Sequence, residues 1–233
     1  MIHLSKNKSE INWKKEFTAD WFVALSEIFD SDYSKHLSNF IEQIYLSDKK
    51  VYPMRSRLFT PFKRVSLKDV KVVVIDDKPV KDLRSSGIGR GLIEDSSLTK
   101  DLPLELRQFR DCIYQTIYGN QYSITSFDNS LDDYCDNDML FLNVSMCIDE
   151  DRDYSIIWKH FIRNVIKEIN ERNEKVAYIF LSNTHLDLCN YIDENKNKII
   201  INSFPDLILD SPIFLELDEY IEDNYPQYSR IVW

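Results

Sequence analysis

The chain holds only four glycines, four histidines and four cysteines in 233 residues, and each scarcity closes off a class of function. Cys112, Cys135, Cys147 and Cys189 are scattered, with no C-x-x-C pair. That argues against zinc and iron–sulfur clusters and fits reduced thiols in a cytosolic setting. His160 and His185 have no metal-spaced partner, so no metal and no cofactor is expected. No apolar run approaches the length of about eighteen residues that a membrane span needs. The opening MIHLSKNKSEINWKKEF lacks the apolar core of a signal peptide. A cytoplasmic location is therefore expected, or the nucleus or host cytosol for a eukaryotic or viral source. Basic residues are outnumbered 29 to 39 by acidic ones, a net charge of −10. Phosphate binding needs local positive charge, so this balance weighs against nucleic acid as a simple partner.

What is present points to a folded α/β chain. Hydrophobic residues make up 43% and aromatics 13%, too apolar for disorder. The length suits one domain over residues 1–233 with a sizeable core, residues 1–11 being flexible. The organising stretch is Val70 to Leu92, VKVVVIDDKPVKDLRSSGIGRGL. Its first six positions, broken only by Lys71, read as a strand buried on both faces. The run stops at Asp76, Asp77, Lys78 and Pro79, and the loop after it carries Gly87, Gly89 and Gly91. Glycine serves where the backbone needs unusual torsions or close approach. Ligands of open α/β sheets bind outside the carboxyl ends of the strands, so a site is expected here.

Upstream, Trp13, Phe17, Trp21, Phe22, Leu25, Ile28 and Phe29 follow helical spacing, as do Leu37, Phe40, Ile41 and Ile44. They predict two helices joined around Asp30 to Tyr33, with the aromatics packed in the core. Downstream, the pattern predicts a helix over Leu104 to Ile117 and a loop over 120–137. A buried strand over Met139 to Val144 and a long helix over Tyr154 to Arg172 follow. A strand over Val176 to Leu181, a helix over Leu186 to Asn195, a strand opening at Lys198 to Ile201 and a helix around Phe214 to Glu222 complete the chain. Strands alternating with helices imply a mainly parallel sheet covered on both faces.

VYP at 51–53, LFTPF at 58–62, VKVVVIDDKP at 70–79, GLI at 91–93, LFLNV at 140–144, WKHF at 158–161 and the final IVW occur in one order and spacing. In these segments the chain resembles the family-1 uracil-DNA glycosylases over roughly residues 12–233. The resemblance implies a three-layer α/β/α fold with a central four-stranded, mainly parallel sheet. It also implies a uracil pocket at the strands' carboxyl ends.

The departures bear on function. The family's first strand ends Gly-Gln-Asp-Pro-Tyr-His, and here the aligned residues are Asp76, Asp77, Lys78, Pro79, Val80 and Lys81. The resemblance puts Lys78 where the family's aspartate orients water and supports the positive charge growing on the sugar. An ammonium there repels an oxocarbenium-like transition state. Val80 leaves open the space that the family's tyrosine fills against thymine, and Glu94 stands where a phenylalanine stacks on the base. Phe204 replaces the histidine that stabilises the departing uracil, and Asp206 replaces a phosphate-binding serine. Asn143 matches the family's base-reading asparagine, and Leu207 or Ile208 is the remnant of its DNA wedge. A positioned acid or base contributes about 10²–10⁴ in rate, and one donor to the leaving charge about 10²–10³. Losing both removes on the order of 10⁴–10⁷, so standard uracil excision is expected to be nearly absent.

Charge points the same way. Asp128 to Asp153 carries nine carboxylates and one basic residue, and Ile199 to Ser229 carries seven carboxylates and no Lys or Arg. The second window contains the segment aligned with the wedge, which weakens phosphate affinity there. Lys78, Lys81, Arg84 and Arg90 form a small basic group around the glycine loop. They either hold an anion with the loop amides or pair with Asp76, Asp77 and Asp82. The glycine spacing is not a dinucleotide fingerprint, and no nucleophile elbow is present. Two functions follow. One is a catalytically degenerate member acting as a binding or scaffold module with a protein partner, weak in DNA binding. The other is an active glycosylase for uracil or a modified pyrimidine, with Asp77, or Asp76, as a relocated catalytic carboxylate.

Overall fold

A computed structural model describes residues 11–93, 102–119, 127–201 and 212–226. Four strands form the central sheet: β2 (Val72–Asp76), β3 (Met139–Asn143), β5 (Ala177–Phe180) and β6 (Lys198–Ile201), in the order β3-β2-β5-β6. All neighbouring pairs are parallel, which confirms the expected α/β/α architecture. The reason lies in the runs themselves. Every residue of β2, β3 and β5 is buried, as it must be for strands covered on both sides.

Four long helices flank the sheet: α1 (Asp32–Tyr45), α2 (Leu104–Tyr118), α3 (Ser155–Arg172) and α4 (Ile213–Asn224). On α3, Trp158, Phe161, Ile162, Val165, Ile166 and Ile169 recur at helical spacing and are all buried. On α2, Leu106, Phe109 and Ile113 form the apolar stripe, and Gly119 ends the helix at φ 75°. Phe17 packs against Phe29, Phe59, Phe62 and Phe161, so the upstream aromatics are core residues.

Three local expectations are corrected. The two upstream helices are four helical pieces, Trp13–Glu16, Ala19–Ala24, Ser26–Phe29 and α1. The first break falls at Phe17 and Thr18, whose backbones are extended. There the Asp20 carboxylate accepts the Thr18 hydroxyl at 2.5 Å and the Trp21 amide at 2.9 Å, local bonds that compete with a continuous helix. The loop expected over 120–137 contains a helical turn at Asp132–Asp136, while 120–126 lie outside the described residues. The helix expected after β5 is a 3₁₀ segment, Leu186–Tyr191. The flexibility expected of residues 1–11 falls almost wholly outside the described residues.

A two-residue antiparallel ladder joins β1 (Val51–Tyr52) to β4 (Ile148–Asp149), too short to leave a sequence pattern. Its anchor is Asp149, 2% exposed. The carboxylate accepts Lys49 Nζ at 2.6 Å, the Tyr154 hydroxyl at 2.5 Å and the amides of Asp151 and Arg152 at 2.8 and 2.7 Å. Burial pushes its pKa up, but the bonds from Lys49, Tyr154 and the two amides outweigh burial and hold it well below the usual range. A carboxyl lowered in the folded state stabilises above its unfolded value near 3.8, and that stabilisation fades as pH falls through the folded value. We expect Asp149→Asn to cost about 2 kcal/mol at pH 7. Urea unfolding should show a smaller gap from wild type at pH 3 than at pH 7.

Candidate functional site

The β2–β3 register sets Asp76 beside Asn143 at the carboxyl edge of the sheet. Strand pleating sends successive side chains to opposite faces. Asp76 and Asp77, adjacent in sequence, accordingly meet different surroundings.

Asp76 turns to the glycine loop. Arg90 Nε donates to its Oδ2 at 2.6 Å and Arg90 Nη2 to its Oδ1 at 2.8 Å, a bidentate ion pair. Both residues are buried, at 5% and 6% exposure. Arg90 Nη1 reaches on to the Glu105 carbonyl at 3.1 Å, tying the loop to the start of α2. The loop has its tight shape because glycine permits it. Gly87 sits at φ 81°, and a Cβ there would meet the Arg57 carbonyl oxygen at 2.0 Å. A Cβ at Gly91 would meet the Ser130 carbonyl oxygen at 2.4 Å. The amide nitrogen of Asn143 donates to the Gly89 carbonyl at 2.9 Å, while its Oδ1 is buried with no hydrogen-bond partner.

Asp77 turns the other way, toward the segment that follows β5. The Thr184 hydroxyl donates to its Oδ2 at 3.4 Å, and His185 Nε2 lies 3.8 Å from its Oδ1. Its side chain is 35% exposed. Asp77, Asp76, Lys78, Pro79, Val80, Lys81 and Arg90 line a cavity of about 290 Å³, which Glu105 and Ile148 close. Sequence reasoning set His185 aside for want of a partner. The partner comes from the pairing of β2 with β5, and a polar Thr-His step just past the carboxyl end of β5 was the available signal.

The four basic residues do not form one patch. Arg90 is buried on Asp76, and Arg84 binds Asp82 through Nε at 3.0 Å and Nη2 at 2.7 Å. Lys81 donates to the Glu150 carbonyl, and Lys78 stands exposed at the cavity mouth. Val80 is buried in the cavity wall. Glu94, Phe204, Leu207 and Ile208 lie outside the described residues. Among the described residues no group of three His, Cys, Asp or Glu side chains could hold a metal ion. No helix among them is long and apolar enough to cross a membrane.

Removing one partner of a buried ion pair leaves an uncompensated charge, at a cost of about 3–5 kcal/mol. We expect Arg90→Ala to destabilise by that amount in denaturant unfolding. Arg90→Gln combined with Asp76→Asn, which leaves no lone charge, should cost less than Arg90→Ala alone.

No family model matches the chain. Among curated proteins it is 24% identical over 215 residues to a uracil-DNA glycosylase of Pseudomonas aeruginosa, covering 88% of this chain and 90% of the relative. It is 28% identical over 189 residues to the uracil-DNA glycosylase of Lactobacillus acidophilus, covering 80% and 78%. The crystal structure of mimivirus uracil-DNA glycosylase superposes with a TM-score of 0.77 at 15% identity, over 96% of this chain and 90% of that one. The UNG structure from Nitratifractor salsuginis gives 0.59 at 12% identity, over 91% of each chain. With the sheet order, the strand-end cavity and these relatives in agreement, the chain has the uracil-DNA glycosylase fold and is similar in sequence to uracil-DNA glycosylases over most of its length.

Proposed function

We propose that this chain keeps the base-excision scaffold without the family's standard uracil excision, and serves as a binding module for a protein partner. One observation carries the reading. The side chain at the mouth of the strand-end cavity, where the resemblance calls for a carboxylate, is the exposed ammonium of Lys78. Positive charge develops on the sugar as the glycosidic bond breaks, and a cation there raises the barrier instead of lowering it. Asp76 cannot replace it without cost, because Arg90 already neutralises it inside the protein. The resemblance also places Phe204 and Glu94 where leaving-group and stacking residues belong.

A protein partner is favoured over DNA by charge. Acidic residues dominate the chain, and the Lys81 and Arg84 side chains beside the cavity are held by Glu150 and Asp82. A mimivirus relative has been solved in complex with UGI, so a protein-binding face has a precedent on this fold. Each phosphate neutralised contributes to the steepness of the salt dependence. We expect single-stranded DNA to bind weakly in a fluorescence titration, with a shallow loss of affinity between low and physiological salt. Tight binding with a steep salt slope would contradict the reading.

A second reading is favoured by Asp77. Its carboxylate is half-buried at the cavity wall, and no Lys or Arg among the described residues pairs with it. It could take over water activation for uracil or a modified pyrimidine read by Asn143, with Val80 leaving room beside the base. An abasic-site assay on oligonucleotides carrying uracil, thymine mismatches and modified pyrimidines decides between the two. The second reading expects activity that Asp77→Asn abolishes and Lys78→Ala leaves in place. Equal activity of Asp77→Asn and wild type would exclude Asp77 as the base.

A further inference from the structure

The structure assigns His185 as the positioning residue of a relocated carboxylate base, standing beside Asp77 where Asp77 lines the cavity. The inference rests on the second reading above and adds a residue that neither sequence motif nor resemblance supplies. Asp77 extends from the end of β2, and His185 stands just past the end of β5, the strand hydrogen-bonded to β2. Among the described residues, the side chains that approach the Asp77 carboxylate are His185 and Thr184, at 3.8 and 3.4 Å.

The ring's own environment selects its tautomer. His185 is 12% exposed, and its Nδ1 is buried with no hydrogen-bond partner. A proton on Nδ1 would be an orphaned buried donor, so the neutral ring carries it on Nε2, the atom that faces Asp77. The Nε2–H and the Thr184 hydroxyl then aim at the two oxygens of one carboxylate. The 3.8 Å separation exceeds a hydrogen bond, and catalytic hydrogen bonds commonly tighten when the substrate binds.

The remaining charges around the ring come from several elements. Lys159 of α3 binds Asp187 at 2.6 Å, Arg163 of α3 binds Asp187 at 3.2 Å, and Asp153 lies in the loop before α3. Burial lowers the His185 pKa below its ordinary 6.5 and Lys159 adds to that, while Asp77, Asp187 and Asp153 oppose it. The ring is therefore neutral at neutral pH, and protonates only in acid. Lys78 helps hold the Asp153 carboxyl below its ordinary value.

The step balances without a further reactant. A water oxygen bonds to the sugar C1′ as the C1′–N bond breaks. The bonding pair leaves on the base nitrogen, which solvent protonates, and the water's proton passes to Asp77. His185 touches no reacting atom and acts through Asp77. Below its own pKa it becomes imidazolium, pairs with the carboxylate and makes Asp77 a poorer base.

The test uses the full chain and single-turnover base release across pH on the oligonucleotide panel. His185→Leu should lower the rate about 10²-fold with little change in KM, as expected for a misplaced catalytic group. His185→Gln, which keeps an N–H donor, should restore most of the rate. The acid limb that His185 gives wild type below pH 6.5 should be absent from it. Active wild type with His185→Leu unchanged in rate would overturn the assignment. Should wild type release no base at all, the second reading fails, and NMR titration of the His185 ring decides the pairing alone. A midpoint that drops in Asp77→Asn supports the pair, and an unmoved midpoint overturns it.

Discussion

A guanidinium buried against a carboxylate at the end of the central strand governs this molecule's site. The Arg90–Asp76 pair needs both its bonds, because neither charge has water to fall back on. Satisfying Asp76 requires Arg90 to come inward, and that requires the glycine loop to fold tightly over the ends of β2 and β3. The loop can do so because Gly87 takes a left-handed conformation and Gly91 lets the Ser130 carbonyl approach closely. Gly89 then presents its carbonyl to Asn143, closing the circuit between the loop and β3. The arrangement is an internal electrostatic lock at the carboxyl end of the central strand.

That lock gives the two adjacent aspartates separate fates. Asp76 is consumed by structure. Asp77, one residue on and one pleat over, remains at the cavity wall, where among the described residues a hydroxyl and an imidazole lie near its oxygens. Between them and the exposed Lys78, the strand end carries a charge order of carboxylate in, carboxylate out, cation at the mouth. On the reading proposed above, chemistry that places positive charge on a sugar would draw its support from one residue away from where the resemblance puts it. Whether this strand end binds or cleaves turns on that displacement.

Much of the fold was legible in the residues. The apolar runs over Val72–Ile75, Met139–Leu142 and Ala177–Phe180 could only be strands covered on both faces. The Trp158-to-Ile169 stripe could only be a helix packed on one side. The β1–β4 ladder was not legible, since two residues cannot display a period. The site was legible in location and not in pairing. Asp76, Asp77 and Lys78 were placed at the site by the strand end, and Val80 by the resemblance. That Arg90 belongs to Asp76 depends on loop torsions. That His185 belongs to Asp77 depends on which strand lies beside β2. Neither is written in local spacing, which is why the basic group around the loop read as one cluster and His185 as a bystander.

On the proposed function, the groups driving uracil release have been displaced from their working positions. The most direct measurement is single-turnover release of free uracil from uracil-containing single-stranded DNA, with the purified protein in large excess over substrate. The expected rate is no greater than that of a mock preparation from cells lacking the protein. Release well above that background would sink the proposal.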